Sequence, residues 1–142
     1  MRKLLILLCL IILTGCDKNK DNTLNCTLTK EVSGNTVIQN VVASFSNDRV
    51  FKVDIKHEMK LNDEYTEYID TFRQQIDAQF DDFKNKQGIT TNLNQTSNTI
   101  IFTISIDISE IDNEAKKVIG INVSGSYNNT KKSFENEGYT CK

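Results

Sequence analysis

The chain has 142 residues, with 17 Lys and Arg against 19 Asp and Glu, and a formal net charge of −2. This length suits one domain with its own core and is too short for two. A mildly acidic chain lacks the basic surface that binds nucleic acid or anionic lipid headgroups, so neither partner is expected.

Residues 1–15 have the three parts of a secretory signal peptide. Arg2 and Lys3 form the basic start, residues 4–13 are apolar, and Gly15 is a small residue at the expected cut. The apolar run is too short for a transmembrane helix, which needs about 20 apolar residues. Cleavage after Gly15 would remove both early basic residues and change the formal charge from −2 to −4.

Residues 13–16, with the sequence Leu-Thr-Gly-Cys, resemble a bacterial lipobox. This motif implies cleavage between Gly15 and Cys16, a thioether-linked diacylglycerol on Cys16, and usually an acyl chain such as palmitate on the new amino terminus. The alternative is an ordinary signal peptide with a chance cysteine. The lipobox predicts a lipid-anchored protein on the extracytoplasmic face of the cell membrane. Residues 16–23 would then be the lipidated cysteine and a flexible tether, and residues 24–142 one domain.

Two of the four cysteines remain for the folded domain once Cys9 is removed with the leader and Cys16 carries lipid. These are Cys26 and Cys141. Outside the cytoplasm an even pair predicts a disulfide, which would here join the two ends of the domain. The alternative is two unpaired buried thiols, because free cysteine is often buried.

Alternation of apolar and polar residues predicts a three-stranded antiparallel meander after the tether. Residues 24–29 place Cys26 on the inward face, and residues 36–45 follow the turn sequence Ser-Gly-Asn. The third strand, residues 49–60, has one face dry and one wet, as antiparallel sheets permit. Its predicted dry face consists of Phe51, Val53, Ile55, His57 and Met59.

A long amphipathic helix is predicted over residues 62–86, ended by Gly88. An apolar stripe at helical spacing supports it, and we expect this stripe to pack on the dry face of the sheet. The stripe consists of Tyr65, Ile69, Phe72, Ile76, Phe80 and Phe83.

Two further strands are predicted over residues 89–93 and 99–108. Short helices follow over 109–119 and 130–136, and residues 121–127 remain ambiguous between strand and loop. The predicted fold is therefore α+β, with an antiparallel sheet of about five strands in the order β-β-β-α-β-β-α-α.

The sequence contains no recognisable catalytic or metal-binding pattern. His57 is the only histidine and lies among apolar residues, which indicates a structural role because no polar partner is evident. Residues 120–126 have the two glycines of a phosphate loop but lack the lysine that should follow Gly125. No catalytic residue, metal ligand or cofactor is predicted.

One group of carboxylates recurs at helical spacing opposite the apolar stripe. Such a row can bind a divalent cation or a basic partner, although a solvated helix face is the commoner explanation. The row consists of Asp63, Glu67, Asp70, Asp77 and Asp81.

The pattern as a whole resembles the YehR-like small bacterial lipoproteins, a family largely of unknown function. The lipobox, the meander followed by one long helix and further strands, Cys26 and the terminal Gly-Tyr-Thr-Cys carry this resemblance. It implies no active site. We expect a monomeric, non-enzymatic binding or interaction module with an envelope protein as partner. The alternative is an envelope enzyme, or an enzyme-associated inhibitor or stabiliser, with a pocket that the sequence does not reveal.

Overall fold

The computed structural model describes residues 22–112 and 125–142, which form an antiparallel sheet of six strands with two α-helices. This agrees with an α+β fold. The sheet order is β4-β5-β3-β2-β1-β6. The strands are β1 (Asn22–Val32), β2 (Asn35–Ser46), β3 (Arg49–Lys60), β4 (Ile89–Gln95), β5 (Thr99–Asp107) and β6 (Thr140–Cys141), and the helices are α1 (Ile69–Gln79) and α2 (Tyr127–Asn136).

The predicted meander is present as β1, β2 and β3. Ser33 and Gly34 join the first two strands with φ of 52° and 78°, the left-handed conformation that a two-residue hairpin turn requires. Strand β1 begins two residues earlier than predicted, because Asn22 already pairs with Phe45. The end of the segment expected to be a flexible tether therefore belongs to the sheet.

The predicted inward face of β3 is wrong at Phe51. The register between β2 and β3 shifts at Ser44 and Phe45, so that Val50 pairs with Phe45 and Lys52 pairs with Ser44. Phe51 is the extra residue of this bulge, and its side chain is 41 % exposed while that of Val50 is buried. Strict alternation placed Phe51 inside because a bulge, which adds one residue to one strand, leaves no mark in the apolar pattern.

The single helix predicted over residues 62–86 is divided into three parts. A 3-10 helix spans Asp63–Tyr68, α1 spans Ile69–Gln79, and a second 3-10 helix spans Asp81–Phe83. The apolar stripe nevertheless packs on the sheet as predicted, because all six of its members contact buried residues of the core. The 3-10 segments have three residues per turn instead of 3.6, so the residues opposite the apolar stripe do not keep the spacing of one continuous α-helix.

The prediction of about five strands missed β6, whose two residues are too few for a recognisable alternation. The last helix begins at Tyr127, and its Ser126 N-cap accepts a hydrogen bond from the amide of Asn129. At the start of the helix predicted over residues 109–119, the amide and hydroxyl of Ser109 both donate to Asp107 in a turn. Most of the helix predicted over residues 109–119, and residues 121–124 of the ambiguous stretch, lie outside the described residues.

Among the described residues, the core consists of two adjoining regions on the same face of the sheet. We call the first the disulfide lobe; it contains β1, β2, the first half of β3, β6 and α2, with Leu24, Cys26, Val41, Ala43, Phe45, Val50 and Val53 buried. We call the second the helix lobe; it contains β4, β5 and α1, with Leu61, Ile69, Ile89, Ile100, Phe102, Ile104, Ile106 and Ile111 buried. Ile108 packs against both.

Candidate functional site

The sheet surface opposite the two lobes, here called the outer face, is the main candidate for a binding surface. Strand pairing places residues from four adjacent strands in two rows across it. The first row is Asn40, Lys56, Thr103 and Asn92, and the second is Val42, Asp54, Ser105 and Thr90. Together they line a shallow concavity of about 480 Å³.

Charges on the outer face are concentrated on β3 and are paired along that strand. Lys52 Nζ lies 3.1 Å from an Asp54 carboxylate oxygen, and Lys56 Nζ lies 2.8 Å from one of Glu58. The flanking strands contribute hydroxyls and amides, of which the Asn40 side-chain oxygen accepts a 2.8 Å hydrogen bond from Thr27. The surface therefore has little net charge. Its concavity exposes mostly apolar atoms of the lining side chains, which suits a partner that packs closely against them and forms hydrogen bonds to the surrounding polar groups.

His57 lies on the opposite, inner face of β3, between Gln39 of β2 and Phe102 of β5. Burial lowers the pKa of its imidazole below the ordinary 6.5, so the neutral form is favoured. His57 does not line the concavity of the outer face. Its surroundings agree with the structural role predicted from the sequence.

The predicted acidic face of the helix does not form a continuous row of free carboxylates. Asp77 and Asp81 both contact Lys84 Nζ, at 2.8 and 3.3 Å, and the hydrogen bond that the Lys84 ammonium donates to Asp77 raises the pKa of that ammonium. The Asp70 carboxylate accepts a 2.9 Å hydrogen bond from the Gln95 amide. The remaining two members, Asp63 and Glu67, lie in the 3-10 segment, where three residues per turn replace 3.6.

A smaller cavity of about 110 Å³ lies beneath α2 in the disulfide lobe. Its lining is mostly aliphatic and aromatic, and includes Val41, Ile55 and Phe134. Over residues 22–112 and 125–142, no three His, Cys, Asp or Glu side chains are arranged to hold a metal ion. This cavity lacks the convergent polar groups that chemistry on a bound substrate needs.

The structure contains a disulfide between Cys26 and Cys141, the pair singled out from the sequence. These residues face each other across β1 and β6, with 4.1 Å between their Cα atoms. Asn25 and Lys142 exchange both backbone hydrogen bonds beside them, at 2.8 and 3.1 Å. Gly15 and Cys16 lie outside the described residues, and so do residues 120–124 of the loop with two glycines.

Within the described part of the chain, no helix has the length and apolar character needed to cross a membrane.

The outer-face residues were not singled out from the sequence, because Asn, Thr and Ser on a strand carry no signal beyond solvent exposure. Only the pairing of strands distant in the chain brings Asn40, Thr103 and Asn92 into one row. The alternation of β3 did predict, apart from Phe51, which side of that strand would face solvent.

Comparison with known proteins defines the class of this domain. Residues 26–140 match the family described as protein of unknown function (DUF1307), and the chain belongs to that family. No curated protein matches the chain.

Two solved structures share the fold. An NMR structure of Escherichia coli YehR has a TM-score of 0.54 at 15 % identity, covering 85 % of this chain and 91 % of YehR. An NMR structure of a Streptococcus pneumoniae TIGR4 protein has a TM-score of 0.52 at 16 % identity, covering 89 % of this chain and 87 % of the other. These findings support the predicted resemblance to YehR-like proteins of unknown function at the level of family and fold.

Proposed function

We propose that the protein is a lipoprotein anchored through Cys16 on the extracytoplasmic face of the cell membrane, where its domain acts as a non-enzymatic binding module. The observation that carries the anchor is the Leu-Thr-Gly-Cys sequence at residues 13–16, which ends a short apolar run behind two basic residues. Only residues 17–21 separate Cys16 from strand β1. A five-residue tether has a root-mean-square length of about 13 Å, which holds the domain close to the headgroups.

The disulfide supports placement outside the cytoplasm. Structural disulfides persist in oxidising compartments and are rare where glutathione and thioredoxin keep thiols reduced. Cys26 is 1 % exposed and its bond to Cys141 closes the domain, so the bond has the character of a structural disulfide.

The binding role is supported by the contrast between the two faces of the sheet. The inner face packs against α1 and α2, whereas the outer face has a shallow, mostly apolar concavity of about 480 Å³ along four strands. We expect an envelope protein to bind there by packing on this apolar surface, with hydrogen bonds to the polar groups around it.

The anchor is tested with Cys16→Ser in the bacterial host. We expect this variant to lose incorporation of labelled palmitate and to leave the detergent phase in a phase-separation assay. Cys9→Ser, a matched change within the leader, should retain both properties. A Cys16→Ser protein that is still extracted only by detergent, with unchanged mobility, would show that the lipid is not attached there.

The binding surface is tested by placing a photo-crosslinking residue at Thr103 on the outer face, or at Lys132 on α2 as the control. We expect an envelope protein to be captured from Thr103 and not from Lys132. Asn40→Arg, in the same row, should abolish that capture because it fills the concavity. Equal capture from both positions, or capture unaffected by Asn40→Arg, would remove the outer face as the binding surface.

A further inference from the structure

The two edges of the sheet differ in how their backbone groups are used. Beyond Thr27, which pairs with Thr140, strand β1 continues without β6 and carries Lys30 and Glu31. Charged side chains on an edge discourage pairing with another chain. Strand β4 at the opposite edge, with the sequence Ile-Thr-Thr-Asn-Leu-Asn-Gln, contains no charged residue and no proline.

Hydrogen bonding at the two ends of β4 shows which of its backbone groups point outward. The Thr96 amide donates to the Thr99 carbonyl, and the Asp107 amide donates to the Gly88 carbonyl, each at 2.8 Å. Hydrogen-bonded and non-hydrogen-bonded pairs alternate along an antiparallel ladder. The backbone N–H and C=O groups of the even-numbered residues between 88 and 96 therefore point toward β5. The backbone groups of Thr91, Leu93 and Gln95 therefore point away from β5, toward an edge with which no other strand of residues 22–112 and 125–142 pairs.

The sequence around this edge is nearly symmetric about Leu93. Asn92 and Asn94 flank it, followed by the polar residues Thr91 and Gln95. In an antiparallel pair of two copies with Leu93 opposite Leu93, each Asn92 lies opposite Asn94 of the second copy. Thr91 then lies opposite Gln95, and no charge opposes another.

We propose that β4 pairs with β4 of a second copy of this chain, in the register centred on Leu93, to give one continuous sheet. Three outward-facing residues on each copy exchange about six backbone hydrogen bonds, since each bonded pair in an antiparallel ladder makes two. A two-fold axis through the pair makes the interface isologous and closed. This inference is independent of the proposed lipid anchor and differs from the monomer expected from the sequence.

The first experiment uses the full chain in bacterial cells, with two copies carrying different epitope tags. A photo-crosslinking residue is placed at Thr96, which lies opposite Thr90 of the second copy in this register. The control position is Thr29, exposed on the β1 edge. We expect a product carrying both tags from Thr96 and none from Thr29. No such product, equal yields from both positions, or capture of a different protein alone would overturn the proposal.

The second experiment tests the register. The double variant Asn92→Lys, Asn94→Lys places like charges opposite each other across the pair and should reduce the two-tag product about tenfold. Both side chains are exposed, so the fold is expected to persist, and circular dichroism checks it. Mixing this variant with Asn92→Glu, Asn94→Glu should restore the product between unlike copies. Pairing that is unaffected by the lysines, or not restored by the mixture, would overturn the register and the proposal.

Discussion

The disulfide lobe and the helix lobe share one face of one sheet but are held together differently. In the disulfide lobe, segments from both ends of the chain meet, and the Cys26–Cys141 bond spans a sequence separation of 115 residues. The helix lobe is built almost entirely from residues 61–111 and is closed by aromatic contacts, with Phe80 stacked on Phe102 at 4.1 Å between centroids. The disulfide lobe is therefore stabilised by a covalent constraint, and the helix lobe by the packing of large side chains.

Removing the disulfide should have the largest effect and should act on the first lobe. For a loop of 115 residues the chain-entropy model gives about 4 to 5 kcal/mol, an upper figure because native strain and residual structure reduce it. The double variant Cys26→Ser, Cys141→Ser is compared with the wild-type protein by urea unfolding. Reductant should lower the free energy of unfolding of the wild type only. If reductant lowered it equally in the wild type and the double variant, the effect would not come from this disulfide.

Truncation of Phe102 tests the helix lobe. This side chain is 3 % exposed and stacks on Phe80, so Phe102→Ala should lower the free energy of unfolding by about 3 to 5 kcal/mol through lost contacts and a cavity. Ile101→Ala, the adjacent outward-facing position, is the matched control and should cost much less. Similar losses at both positions in denaturant unfolding would contradict the assignment of the two sheet faces.

Two glycines with positive φ, one in each lobe, separate backbone strain from crowding. At Gly88 φ is 74°, and an added Cβ would lie 2.9 Å from the Asp107 carbonyl oxygen and from atoms of Glu110 and Ile111. At Gly138 φ is 93° and the nearest neighbour is a Leu28 methyl at 3.8 Å. Gly138→Ala should cost about 1 kcal/mol from strain alone, whereas Gly88→Ala should cost about 2 to 3 kcal/mol. Thermal unfolding of the two variants measures the difference, and equal losses would remove the crowding contribution.

The difference between the lobes also explains how far the sequence predicted the fold. Local periodicity was sufficient for the helix lobe, since the stripe from Tyr65 to Phe83 and the alternation in β5 each lie within one continuous segment. In the disulfide lobe, the association of β1 with the end of the domain could be predicted only from the cysteine count, because no local pattern marks the two residues of β6 as a strand. The bulge at Phe51 and the 3-10 segments were missed for a related reason. The order of apolar residues along the sequence does not reveal a register shift in a strand or a change of helical pitch.

The candidate surface was predicted less well than the core. Burial selects residue types strongly, so apolar patterns identify a core, but Asn, Thr and Ser are common on any solvated strand. The acidic residues were noticed because their charge and spacing stand out, yet three of the five already bind Gln95 or Lys84. A binding surface formed by strands distant in the chain becomes visible only once their register is known.

The smallest expected effect concerns His57, which lies where the two lobes meet. Its imidazole is flanked across the strands by Gln39 and Phe102, neither of which carries charge, and burial lowers its pKa in the folded protein. Below the ordinary value of 6.5 the unfolded chain binds a proton that the folded protein resists. Stability contributed by the neutral imidazole is therefore present above that pH and lost as the pH falls through the lowered folded-state pKa.

His57→Gln keeps a neutral polar side chain and should remove this part of the pH dependence. The loss of stability caused by carboxylates should remain, for example that of Asp107, whose pKa the Ser109 hydroxyl lowers. Urea unfolding of both proteins above and below pH 6.5 measures it, and parallel stability curves would mean that His57 is as solvated in the folded protein as in the unfolded chain.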